Sequence, residues 1–257
     1  NPDWILCDSL LLAEDERAGV YLTNALTGWE PLTAPKKAAF PGFEEERELS
    51  GKIKQQTPIL VMLGNPPYNS FSGVAAGEEK ELVEPYKKDL TSKWGIRKYN
   101  LDELSIRFFR LAERQIAERN GVGVVCFISP FSYLNDPSLV VMRSNLLEKF
   151  DAIWIDCLNG DSRETGKKTP EGGPDPSVFS TPQSREGIQK GTAISLLVKK
   201  PQSAATTQAA VHFQEYWGTT KREDLLGSLD DIELDNRYET LAPTEKNRLS
   251  MRPQQSA

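Results

Sequence analysis

Histidine is almost missing from this chain: one residue, His212, in 257. A Ser-His-Asp arrangement or zinc held by imidazoles therefore has almost no material, and no metal site is expected. Cysteine is scarce as well. Cys7, Cys126 and Cys157 are odd in number, far apart and set in apolar surroundings, a pattern of reduced core thiols in a cytoplasmic protein rather than of disulfides. No apolar run approaches the roughly 20 residues that cross a bilayer. The opening stretch NPDWILCDSLLLAEDERAG lacks a basic leader and an initial Met, so it reads as the middle of a longer sequence and not as a signal peptide. An excess of positive charge is also lacking. A net charge of −6 argues against binding nucleic acid by bulk charge, leaving only local basic clusters for that purpose.

What is present suits one large α/β domain, or one domain and part of a second. Hydrophobic residues make up 38% and charged residues 26%, a globular composition. GVYLTNAL (19–26) reads as a short strand and turn. The Pro- and Glu-rich run after it, to residue 58, has no sustained period and reads as a surface excursion. PILVML (58–63) is a continuous apolar run of strand length, expected to be buried on both faces of a mostly parallel sheet. Residues 69–100 are polar and read as a long functional or mobile loop. LDELSIRFFRLAERQIAERNG (101–121) has helical spacing, acids in its first turn and Gly121 beyond its end. GVGVVCFISP, SLVVMRSNLLEKF and DAIWIDCL then read as strand, helix and strand. This alternation predicts a doubly wound sheet with right-handed crossovers. SVFST and TAISLLV flank PQSREGIQKG as a late antiparallel hairpin at the sheet edge. AVHFQEYWG alternates like a strand, and the tail from Leu241 is expected to be irregular with little core. The domain division expected is 1–200 for the α/β domain and 201–257 for a C-terminal extension.

The string GNPPYN (64–69) follows the first apolar strand, where open α/β sheets place their ligands. Asn65 brings a side-chain oxygen acceptor. Pro66 and Pro67 have no N–H and leave carbonyls available, and Tyr68 offers a π face. Such a set suits a planar ligand with an exocyclic amine: two acceptors hold its N–H bonds while the ring stacks on tyrosine.

GNPPYN resembles the catalytic motif of the amino-directed, adenosylmethionine-dependent DNA methyltransferases, the adenine-N6 enzymes of restriction-modification systems. The likeness extends to YNLDELSIRFFRLAERQI, GVGVVCFISPFSYLND and VFSTPQSREGIQKGTAISLLVKK, over residues 19 to about 200, and is strongest toward large single-chain restriction-modification enzymes. It implies Asn65 and the Pro66 carbonyl as acceptors for the adenine amine, with Pro67 stiffening them and Tyr68 as the stacking platform. Phe179 loosely matches an aromatic that packs against the extruded base. Asn24 falls where related enzymes often carry an acidic residue near the cofactor adenine. The cofactor implied is S-adenosylmethionine, and the reaction is direct methyl transfer to N6 of a base flipped out of double-stranded DNA. YKKDLTSKWGIRKY and SREGIQKG are candidates to hold phosphates. The family's Gly-x-Gly cofactor turn is absent, which places the first cofactor strand upstream of residue 1 and a target-recognition domain downstream of residue 257. Endonuclease or helicase domains of the same polypeptide are possible partners.

Two enzymatic alternatives share the motif, protein-glutamine and RNA-guanine methyltransferases, because a side-chain amide and a guanine amine present the same planar NH2. A third alternative is a catalytically silent DNA-binding or assembly module. GDSRETGKKT (160–169) is not a phosphate loop: five residues separate its glycines, and Lys168 stands in place of the hydroxyl residue.

Overall fold

A computed structural model describes residues 20–30, 41–69, 78–181, 183–184, 187–201, 208–230 and 234–253. It divides into two compact units, residues 1–57 and 58–257.

In the first unit the expected surface excursion contains a sixteen-residue helix, α1 (Pro41–Gln56). Period analysis missed it because the helix is mostly polar and presents only a narrow apolar stripe. Its signals are instead terminal: Pro41 at the first position, Glu44 in the first turn and Lys54 in the last, each favourable at its end of a helix. Lys54 Nζ donates to Thr23 Oγ1 (2.8 Å), Asn24 O (2.6 Å) and Thr27 O (2.8 Å), tying the 23–27 turn to α1. No strand forms at 20–26. Cys7 lies outside the described residues.

The second unit is built on a six-stranded sheet in the order β1 (Val61–Gly64), β2 (Gly123–Pro130), β4 (Thr192–Lys199), β3 (Ala152–Cys157), β5 (Ala210–Glu215) and β6 (Glu239–Leu241). β1 pairs parallel with β2 and β3 with β5, whereas β4 is antiparallel to both β2 and β3, and β6 to β5. Four of the six strands therefore share one direction, as expected of a mostly parallel sheet. β4, the strand from TAISLLV, sits in the middle and not at an edge, and SVFST forms no strand, with a turn at 178–179, so the expected hairpin is absent. β5 and β6 lie beyond residue 200 and complete the same sheet.

The connections are helical. Between β1 and β2 come α2 (Glu78–Glu81), α3 (Glu84–Lys87) and α4 (Leu104–Ala112), the last continuing as a π-helix (Glu113–Asn120) that Gly121 ends at φ 68°. α5 (Val140–Lys149) joins β2 to β3, and α6 (Lys221–Gly227) follows β5. The period-2 alternation of the strands places Val125, Phe127, Ile153, Ile155, Leu197, Val211 and Phe213 in one cluster with Phe109, Ile116, Leu146 and Leu147 of the helices. The opposite face is half-buried, and there Trp154 stacks on His212 at 5.0 Å.

Three expectations change. β1 is the edge strand of the described sheet, with Val61 56% and Leu63 73% exposed, so PILVML is not buried on both faces. The polar 69–100 segment contributes Leu82, Val83, Tyr86 and Leu90 to the interior. These apolar residues are spaced as single turns of helix, too short for a period to register. The tail also carries core: Leu249 and Met251 are buried, and Met251 N donates to Leu134 O (2.8 Å).

No helix of the described residues is long and apolar enough to cross a membrane. Where β1 meets β2, a Cβ on Gly123 (φ 141°) would lie 2.4 Å from the Leu60 carbonyl oxygen, which accepts from Val124 N at 2.8 Å. Gly123→Ala is expected to part these strands and destabilise the fold by about 1–3 kcal/mol. Urea unfolding with hydrogen exchange at residues 61–64 checks this, and an unchanged midpoint would refute it.

Candidate functional site

β1, β2 and β3 all point their carboxyl ends to one edge, and antiparallel β4 begins there. Asn65, Pro66, Pro67 and Tyr68 leave β1 at this edge. Asn65 and Pro67 are exposed, Pro66 is buried and Tyr68 is half-buried. The segment is anchored at its far end, where Asn69 O accepts from Leu104 N (3.1 Å).

Tyr68 forms one wall of a cavity of about 530 Å³, within the range of small-ligand sites. The other lining residues come from the turn after β2 (Pro130, Phe131, Ser132), the loop after β3 (Asp161, Arg163), the approach to β4 (Ile188 to Gly191) and Glu103. Phe179 meets the Tyr68 ring edge-on, 6.2 Å between centroids at 66°. The Tyr68 hydroxyl is buried without a hydrogen-bond partner, and burial pushes its pKa up to about 12. Its ring therefore stays neutral throughout the physiological range.

The rest of the wall is irregular backbone fixed by polar side chains, of which Asp175 and Lys221 are buried. Asp161 Oδ1 accepts from Arg163 N (2.7 Å) and Glu164 N (2.6 Å), while Oδ2 accepts from Gly191 N (2.9 Å), joining the loop after β3 to the start of β4. Asp175, fully buried, accepts from Gly160 N (2.7 Å) and Gly218 N (2.8 Å) and pairs with Lys221 at 2.5 Å. Lys221 also donates to Leu158 O (2.7 Å), and burial pulls its pKa below the usual ammonium value against the opposing pull of Asp175. Phe131 is clamped. A Cβ on Gly191 would stand 1.7 Å from its ring, and the Arg252 guanidinium lies 4.9 Å from its centroid. Arg252 is held in turn by Asn159 Oδ1 (2.9 Å) and Glu164 (3.0 Å).

Tyr68 and Phe179 are thus brought together, with Asn65 to Pro67 beside them in sequence. Asn24 belongs to the other unit, where its Oδ1 accepts from Leu26 N (2.9 Å) and closes its own turn. Of the basic segments, SREGIQKG supplies Ile188 to Gly191 to the cavity wall, with Lys190 paired to Glu103 (2.6 Å), while its Arg185 lies outside the described residues. In YKKDLTSKWGIRKY, Lys87 pairs with Glu84 and Lys93 with Glu245. Cys126 and Cys157 are free thiols, Cys157 buried with its pKa pushed up to about 11 by burial. Sequence reading missed Phe131, Asp161, Asp175, Gly191 and Arg252. The Asn-Gly-Asp turn after β3 was a signal for Asp161, since such residues punctuate strand ends; nothing local marked Asp175 or Arg252.

No family model matches the chain, and no curated protein matches it. Solved structures do. The ATP-dependent Type ISP restriction-modification enzyme LlaBIII bound to DNA superposes with a TM-score of 0.67 at 21% identity, over 88% of this chain and 14% of that one. A nuclease-deletion mutant of the Type ISP restriction-modification enzyme LlaGI, in complex with a DNA substrate mimic, gives 0.66 at 25% identity, over 92% and 19%. The fold resembles one segment of Type ISP restriction-modification enzymes. The DrdV–DNA complex gives 0.61 at 21% identity, over 82% and 20%. The chain thus spans about a fifth or less of the length of these structures.

Gly191→Ala is expected to drive Phe131 from its seat into the cavity. The expected outcome is a loss of about 1–3 kcal/mol in stability together with loss of ligand binding at the cavity. Denaturation and a binding titration read the two effects, and a variant with wild-type values in both would refute the packing argument.

Proposed function

We propose that this chain is catalytic core sequence of a site-specific DNA adenine-N6 methyltransferase of a restriction-modification system, with S-adenosylmethionine as methyl donor and double-stranded DNA as substrate. The observation that carries the reading is the pairing of Tyr68 and Phe179 at a cavity beside Asn65-Pro66-Pro67, at the carboxyl end of β1. The likeness to two Type ISP restriction-modification enzymes, one bound to DNA and one to a DNA substrate mimic, and to the DrdV–DNA complex supports it.

In this reading an adenine extruded from the duplex stacks on Tyr68, a contact worth about 1–3 kcal/mol that offsets the cost of unpairing. Asn65 Oδ1 and the Pro66 carbonyl accept the two N–H bonds of its 6-amino group. Prolines at 66 and 67 lower the freedom of this segment, so the acceptors are ordered before the base arrives. Holding both hydrogens turns the nitrogen lone pair out of the ring plane, where it is nucleophilic.

The donor is a different matter. No described residue forms a Gly-x-Gly turn after an apolar strand, and the Asn24 side-chain oxygen is already engaged by Leu26. These residues do not fit an adenosylmethionine site, so the mechanism assigned to the chain ends at positioning the amine.

Incubating the full-length protein with labelled S-adenosylmethionine and DNA should yield N6-methyladenine. Asn65→Ala should lower the rate about 10²-fold or more, by analogy with removal of one preorganised hydrogen-bonding group. A fully active Asn65→Ala, or label appearing in glutamine or guanine instead, would overturn the assignment.

Tyr68→Phe should retain stacking and remain within a few-fold of wild type, while Tyr68→Ala should not. The hydroxyl's raised pKa gives stability that is complete below about pH 10 and lost as pH rises toward 12. Tyr68→Phe should therefore flatten part of the alkaline unfolding curve and leave the neutral activity profile unchanged. An altered profile near pH 7 would show that the hydroxyl has a chemical role.

A further inference from the structure

The Tyr68 cavity does not end at Arg163. Phe131, Ser132, Asp161 and Arg163 also line a second cavity of about 420 Å³, which in turn shares Asn135 and Glu164 with a third of about 600 Å³. Together they form a continuous groove that leads from the aromatic pair to Lys246, Arg248 and Arg252 on the tail segment.

The charges along this groove are unevenly compensated. Its carboxylates are all engaged within the protein: Glu103 by Lys190, Glu164 by Arg252, Asp161 by three backbone N–H groups, and Asp136 by Ser138. Arg163, Lys246 and Arg248 are exposed, and none of them forms an ion pair with a carboxylate among the described residues. A chain of net charge −6 thus presents three exposed cations without ion pairs along one groove.

The far bank of the groove is also rigid. Arg143, fully buried, donates to Tyr133 O (2.9 Å) and Asp136 O (2.8 Å) on the turn after β2, and to Arg248 O (2.9 Å) on the tail. Both the Phe131 turn and the Arg248 backbone are therefore fixed to one side chain. Leu249 N to Thr244 O (2.7 Å) and Met251 N to Leu134 O (2.8 Å) complete the attachment.

We propose that Arg163, Lys246 and Arg248 hold the phosphodiester backbone of the DNA strand whose base enters the Tyr68 cavity. The proposal rests on the functional reading above, and it adds the strand's path: from the cavity mouth over Arg163 toward the tail. A polyanion suits the groove because three of its cations face solvent without ion pairs, its carboxylates are turned to partners within the protein, and its banks are set before binding.

Salt dependence of binding tests the proposal without requiring catalysis. In the full-length protein, affinity for a fluorescein-labelled duplex with one mispaired adenine is measured by anisotropy across a range of salt, without methyl donor. Each lost phosphate contact reduces the slope of log K against log salt by about 0.9. The triple variant Arg163→Ala, Lys246→Ala, Arg248→Ala should therefore lose about 2–3 from the slope, while Arg163→Lys keeps it. A control that removes three exposed charges outside the groove (Lys80→Ala, Lys200→Ala, Arg222→Ala) should keep the wild-type slope. An unchanged slope in the groove variant, or an equal fall in the control, overturns the proposal. Competition by polyglutamate as strong as by DNA also overturns it and points to an acidic protein partner. Methylation of adenine with no effect of the groove variant would sink the groove alone, whereas a changed slope with no methylation would sink the enzymatic reading alone.

Discussion

β4 runs against β2 and β3 and hydrogen-bonds to both, so β2 and β3 do not pair with each other. Because the strand is reversed, its first residue lies where its neighbours end, and the chain must deliver Gly191 to the same edge at which Pro130 and Cys157 finish. The loop 158–191 is thereby forced to remain at the carboxyl edge of the sheet. Functional residues from four segments meet there as a consequence of one ladder, which also explains why the cavity wall is mostly loop and so little of it is regular structure.

Loop walls need internal ties, because backbone groups withdrawn from water must find partners. Asp161, Asp175 and Arg143 supply them, each spanning segments far apart in sequence. A carboxylate that accepts several backbone N–H groups, or a guanidinium that serves several carbonyls, organises irregular chain more economically than pairwise contacts do. The charge of each is spent on the protein itself. Groove and cavity differ in this respect: the groove keeps three cations facing solvent, and the cavity keeps one unsatisfied hydroxyl on an aromatic ring.

The regular core was legible because it depends on local periodicity. β2, α4, α5, β3, β4 and β5 all follow from apolar spacing, and Gly121 stops its helix in the left-handed conformation expected of glycine there. The string Asn65 to Tyr68 was legible because two prolines after an apolar run are conspicuous. What escaped reading depends on distance. The edge position of β1 is a property of its neighbours, the central position of β4 a property of topology, and the clamp on Phe131 needs residues 191 and 252 to arrive together. α1 was lost for a different reason: a polar helix shows itself by its ends and not by its period.

The reversed strand also constrains how the protein is made. During synthesis β2 and β3 emerge well before the chain that fills the gap between them, and residues 123–130 must wait for residues 192–199. Until then each presents an unpaired apolar edge, the feature that invites wrong partners in a partly folded chain. Closing such long loops before any ladder forms is slow. The centre of the sheet is therefore expected to be the last part of its own interior to assemble, so the emergence of residues 192–199 rather than local helix formation sets when this fold first exists.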